Sequence, residues 1–178
     1  MSNKFEILMH QLDMPLEMRN SEAFLNAEIE KVLVHKVSRV WEFHFSFANI
    51  LPIEIFRELQ KRLAQEFSKT GNKAIFEIHC QAPQVSDELL QAYYQLAFEE
   101  GPCASHGFKS LYQDLQVHLD GDKLLIEGAS TIDTEHFRKN HLPNLSRQLV
   151  KYGFPQLTCQ VQHSDELTQQ QAENFQAE

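Results

Sequence analysis

The stretch SRVWEFHFSF, residues 38–47, constrains the fold more than any other part of this chain. Trp41, Phe43, Phe45 and Phe47 alternate with Glu42, His44 and Ser46. A strict period of two is the pattern of a β-strand with one apolar and one wet face. Such a row of rings is either a platform on which nucleic-acid bases stack or the floor of a core. The next segment, ANILPIEIFRELQKRLAQEFSKTGNK, decides between them. It predicts a helix over residues 53–69 with Phe56, Leu59, Leu63 and Phe67 at intervals of three and four. Pro52 suits its first turn and Gly71 its left-handed stop. That apolar stripe has to be buried, and the aromatic face is the nearest apolar ground. Each Phe covered is worth about 1.5–3 kcal/mol. The rings are therefore read as core.

The other elements arrange themselves around this pair. Residues 3–13 have the spacing of a short amphipathic helix (Phe5, Leu8, Met9, Leu12) ended by Pro15. A second short helix is expected from Ser21, carrying Phe24 and Leu25 inward. The β-branched run 29–37 precedes the aromatic strand so closely that an antiparallel hairpin is expected, and residues 73–80 form a further strand. The order is β-β-α-β. A helix over 86–100 follows, with Ser86 as N-cap, Asp87 and Glu88 in its first turn and Gly101-Pro102 as its stop. Next comes a hairpin over 114–128, with Asp120-Gly121 as a type I′ turn that sets Val117 opposite Leu124 and Leu115 opposite Ile126. A helical region over 133–152 and a strand over 155–163 repeat the β-β-α-β order. The fold class expected is α+β: an N-terminal unit over 1–83, a second unit over 84–163 and an acidic, Gln-rich linker over 164–178. A linker in that position suggests a piece of a longer chain.

Charge and cysteine usage narrow the function. Of the net −9, residues 165–178 supply four carboxylates (Asp165, Glu166, Glu173, Glu178) and no Lys or Arg, which leaves −5 to the body. Phosphate-neutralising proteins usually present a basic face, so the balance favours protein partners. No apolar run reaches the length of a membrane span, and the first residues have no signal-peptide pattern. Cys80, Cys103 and Cys159, odd in number and widely spaced, suit a reducing cytoplasm rather than a disulfide framework.

No catalytic or cofactor-binding motif stands out. Glu99-Glu100 closes a helix, and Asp120 and Asp122 bracket a turn. Cys103-x-x-His106 and Cys159-x-x-x-His163 could together supply four zinc ligands, but no CxxC or second tight pair supports them, so no metal is assigned. His44, His79, His118 and His163 fall on polar strand faces.

At VWEFHFSF, SHGFKSLY, KLLIEGAS with HFRKN, and YGFPQLTCQVQH, the chain resembles the N-terminal region of the PolC-type DNA polymerase III alpha subunit, the large replicative polymerase of low-GC Gram-positive bacteria. The resemblance implies a DNA-directed DNA polymerase with 3′–5′ exonuclease as parent, its catalytic carboxylates far downstream. It also implies a first unit similar to the C-terminal domain of the clamp loader's tau subunit, and a second similar to a truncated type II KH domain. A working KH domain grips nucleic acid with a GxxG loop between two helices. The corresponding residues here, 139–144, contain Pro143 and no glycine, so a KH-like fold does not entail KH-like function.

The expected role is a non-catalytic assembly module whose partners are replisome proteins, the tau subunit or the rest of the polymerase chain. Its surfaces would be the wet strand face and the helix 86–100, where one of the adjacent Tyr93 and Tyr94 should stay exposed as an interface anchor. The alternative is a nucleic-acid contact through Arg138, Lys139, Arg147 and Lys151.

Overall fold

Strand β2, Val40–Phe47, is the centre of the first sheet. The structure, a computed structural model, describes residues 3–104, 109, 112–127, 139 and 141–162. It divides into two units: Met1–Gln84 with Val150–Pro155, and Val85–Leu149 with Gln156–Glu178.

In the first unit β1, Glu28–His35, pairs antiparallel with β2, setting Val34 against Trp41 and Val32 against Phe43. A bulge falls between Ile29 and Lys31. Strand β3, Lys73–Cys80, runs parallel to β2 and sets Phe76, Ile78 and Cys80 beside Phe43, Phe45 and Phe47. The sheet order is β1-β2-β3. Phe43, Phe45 and Phe47 are buried, so the aromatic row is core. Helix α3, Ile53–Ser68, buries Ile55, Phe56, Leu59 and Leu63, while its Phe67 packs on Trp41 and Phe43 with ring centroids 5.2 and 5.4 Å apart.

The other end of the row is covered by α1, Lys4–Gln11, whose Phe5 ring meets Phe45 and Phe47 edge-on at 5.6 and 5.4 Å. Asn3 caps this helix by accepting from the Phe5 N–H, and its side-chain amide donates to the Ala27 carbonyl. Arg62 of α3 pairs with Glu58 and donates to the Asp13 carbonyl, tying α3 to the end of α1. The short helix expected at Ser21 is only a 3-10 turn, Glu22–Phe24, after a one-turn α2, Leu16–Arg19. Phe24 is buried but Leu25 is 63% exposed, a correction to its expected place in the core. A single 3-10 turn has no second apolar face to offer.

In the second unit α4, Asp87–Ala97, starts at Ser86, whose hydroxyl accepts from the Leu89 N–H. Strands β4, Gln116–Asp120, and β5, Lys123–Glu127, form the hairpin, and β6, Thr158–Gln162, pairs parallel with β5 in the order β4-β5-β6. The hairpin register differs from expectation. Asp120 pairs with Lys123 and Val117 with Ile126, so the turn is Gly121-Asp122, with Gly121 at φ +63°. Glycine thus takes the first central position, as in a type II′ turn. The slip moves each partner by two residues, Val117 from Leu124 to Ile126, and so keeps Val117, Leu124 and Ile126 on one buried face. Of the helical region 133–152 the structure describes Lys139 and α5, Leu142–Lys151, with Pro143 in its first turn, where a missing N–H costs nothing. Residues 133–138 and 140, most of SHGFKSLY and the linker 164–178 lie outside the described residues.

Candidate interaction surfaces

The parallel ladder sets His44 beside Glu77 and Ser46 beside His79 on the face of the first sheet opposite the rings. His44 stands between two carboxylates, Nε2 3.7 Å from Glu42 Oε2 and Nδ1 3.7 Å from Glu77 Oε2. His35 lies 3.5 Å from the same Glu42 oxygen, and His79 lies 3.5 Å from Glu30. These separations are too long for strong hydrogen bonds and act as ion pairs only with the ring protonated. Among the described residues no group of His, Cys, Asp and Glu could hold a metal ion; His106 and His163 lie outside them.

The edges at β4, β3 and β1 are managed differently. At β4 the helix α4 supplies side chains to the strand's outer groups. Gln91 accepts from the Val117 N–H at 2.8 Å and donates to the Leu115 carbonyl at 3.0 Å, and Asp87 accepts from the Leu119 N–H. Along β3, Gly153 comes so close that an added Cβ would stand 2.6 Å from Cys80 Sγ. Strand β1 has no such cover among the described residues. It ends the sheet, and Val32, Leu33 and Val34 are 37%, 40% and 46% exposed. A long, apolar edge with unpaired main-chain groups is a template for another strand.

Sequence reasoning missed this surface, although its signal was present. Val32, Leu33 and Val34 are consecutive apolar residues, whereas an antiparallel strand with one wet face alternates. The expectation for Tyr93 and Tyr94 is corrected: both are fully buried. Buried residues of α4 include Leu90, Tyr93, Tyr94, Leu96 and Ala97, and with Phe98 they span roughly 200° of the helix at 100° per residue. Two adjacent tyrosines fit inside so wide an arc. Tyr94 donates its hydroxyl to the Tyr112 carbonyl, and burial pushes its ionisation far above the ordinary tyrosine range.

The four basic residues are only partly brought together. Arg147 and Lys151 are exposed one turn apart on α5, Lys139 is exposed, and Arg138 lies outside the described residues. The three cysteines are free thiols. Burial pushes Cys80 and Cys103 up to about 11 and, with Cys103 nearby, Cys159 up to about 12, which makes them poor nucleophiles. No helix among the described residues is long and apolar enough to cross a membrane.

Comparison with known proteins adds the family. The description DNA polymerase III polC-type N-terminus I matches residues 4–78, and DNA polymerase III polC-type N-terminus II matches residues 92–178. The chain is 97% identical to the DNA polymerase III PolC-type of Streptococcus sanguinis strain SK36, over all 178 residues. It is 64% identical over its whole length to that of Streptococcus pneumoniae strain D39, and 48% identical over 175 residues, 98% of the chain, to that of Streptococcus pyogenes strain Manfredo. In each case the chain spans 12% of the relative's own length. No solved structure matches it.

Proposed function

Because the chain belongs to the family of PolC-type DNA polymerase III N-terminal regions, we propose that it serves DNA replication in the cytoplasm as a non-catalytic assembly module. In this reading polymerase and 3′–5′ exonuclease chemistry belong to the remainder of the parent chain. The two α+β units act as separate domains, the first tau-like and the second KH-like, joined to the polymerase by the acidic linker 164–178. The observation that carries the reading is the open edge of β1, with Val32, Leu33 and Val34 exposed. It suits strand addition, in which main-chain hydrogen bonds give affinity and alternate side chains give specificity.

The partner is another replisome protein, with the clamp loader's tau subunit the first to test and the polymerase's own body the next. Calorimetric titration of tau into the chain should give saturable binding. Leu33→Lys, which places a charge on the edge, should weaken it by about tenfold or more. No binding, or equal binding by the variant, would remove tau or the edge from the account.

A second reading is favoured by the exposed pair Arg147 and Lys151 on α5. With Arg138 and Lys139 they would contact nucleic-acid phosphates. Oligonucleotide binding with a steep salt dependence, lost on charge reversal of Lys139, Arg147 and Lys151, supports it; absence of binding at low salt removes it.

A further inference from the structure

The β1–β2 turn and the α3–β3 loop lie together at one end of the first sheet. Val40 pairs with Lys73, and the Lys73 N–H donates to the Arg39 carbonyl at 2.9 Å. Residues 35–40 and 69–73 contain Lys36, Arg39, Lys69 and Lys73 and no carboxylate. That is four of the ten Lys and Arg between residues 3 and 84, gathered on two short connections of a chain with net charge −9. Lys69 has a local explanation, since it follows the last turn of α3 and pairs with Glu66 at 2.9 Å. Lys36, Arg39 and Lys73 are exposed and have no carboxylate partner among the described residues. Arg39 is also positioned: its Nη1 lies 3.4 Å from where a Cβ on Gly71 would stand, over a residue at φ +73°.

We propose that this end of the first unit is a contact for the phosphate backbone of duplex DNA. The three cations sit at the ends of neighbouring strands about 4.8 Å apart, a row of roughly 10 Å. One strand of a duplex carries a phosphate at every nucleotide, and the long side chains let each of the three cations meet one. Arg39 can meet one of them with its planar fork, and the lysines act as point charges. The loop's own amides are occupied, since the N–H groups of Thr70, Gly71 and Asn72 donate to the carbonyls of Phe67 and Ser68. Binding is therefore a side-chain, salt-sensitive matter. Trp41, beside this end, packs against Phe67 rather than standing free for stacked bases, which favours duplex over single strand. The choice of DNA among polyanions rests on the family reading, and the residues it uses are other than Val32, Leu33 and Val34 of β1 and Arg147 and Lys151 of α5.

The test is fluorescence anisotropy of a labelled DNA duplex with the 178-residue chain at increasing KCl, with no protein partner present, so its outcome leaves the tau reading untouched. Three phosphate contacts should give a slope of log K against log salt of about −2.7. The variant Lys36→Glu/Arg39→Glu/Lys73→Glu should lose binding by about tenfold or more at 50 mM KCl and flatten that slope. The same triple change to Gln, with an unaltered circular dichroism spectrum, should lose it more mildly. The control Lys4→Glu/Lys61→Glu, at two exposed lysines elsewhere on the first unit, should bind as the parent does. No binding at low salt, an unchanged triple variant, or loss in the control alone would overturn the proposal. Equal affinity for a poly-glutamate peptide would also overturn it, by assigning the end to acidic protein.

Discussion

Gly153 occupies a backbone position that no other residue can take without cost. Its φ is +107°, and a Cβ there would press on Cys80 Sγ at 2.6 Å and Ile78 Cγ2 at 3.1 Å. Gly153→Ala should therefore lower stability by about 1–3 kcal/mol, read as a lower urea midpoint. The buried thiols set the alkaline limit. Cys80 and Cys103 stay protonated in the folded chain up to about 11 and release their protons near 9.0 when unfolded. The folded state thus binds more protons across that window. Stability is complete below pH 9 and falls as pH rises through 9 to 11, by up to about 2–3 kcal/mol per thiol. Urea midpoints at pH 8 and pH 10 should show the drop, and a Cys80→Ala/Cys103→Ala chain should show less of it. At this scale the sequence was legible where one residue acts on its own local backbone, as at the Ser86 cap and Gly71. It was not legible at Tyr93 and Tyr94, because adjacency on a helix does not say how wide an arc its surroundings cover.

At the scale of elements, the two edges β1 and β4 differ in what faces them. Gln91→Ala would leave the Val117 N–H and the Leu115 carbonyl without their α4 partner, at a cost of about 1–3 kcal/mol in an unfolding measurement. Leu33→Lys on the open β1 edge should change stability by less than ~0.5 kcal/mol, because that side chain is 40% exposed and its strand has no outer strand neighbour among the described residues. The pair of results would separate an edge that serves folding from one left free for a partner. The period-two alternation of β2 and the three-four spacing of α3 carried both elements into the sequence reading with little error. The second hairpin's existence was legible from Asp120-Gly121, but its register was not. Moving glycine to the first central position of the turn satisfies the same composition, and only the cross-strand pairs choose between the two.

For the whole molecule, the repeated β-β-α-β order and the family were both readable, because they rest on patterns spread over most of the chain. The working surface was harder to read, since an exposed edge is a property of what does not pack against it. In the proposed role the first unit docks a partner strand along β1. The most direct measurement is an amide NMR titration of the chain with the tau subunit of the matching clamp loader at physiological salt. The expected result is a set of shifts confined to residues 31–35 and the facing part of β2, absent in Leu33→Lys. No shifts, or shifts that persist unchanged in that variant, would contradict the claim.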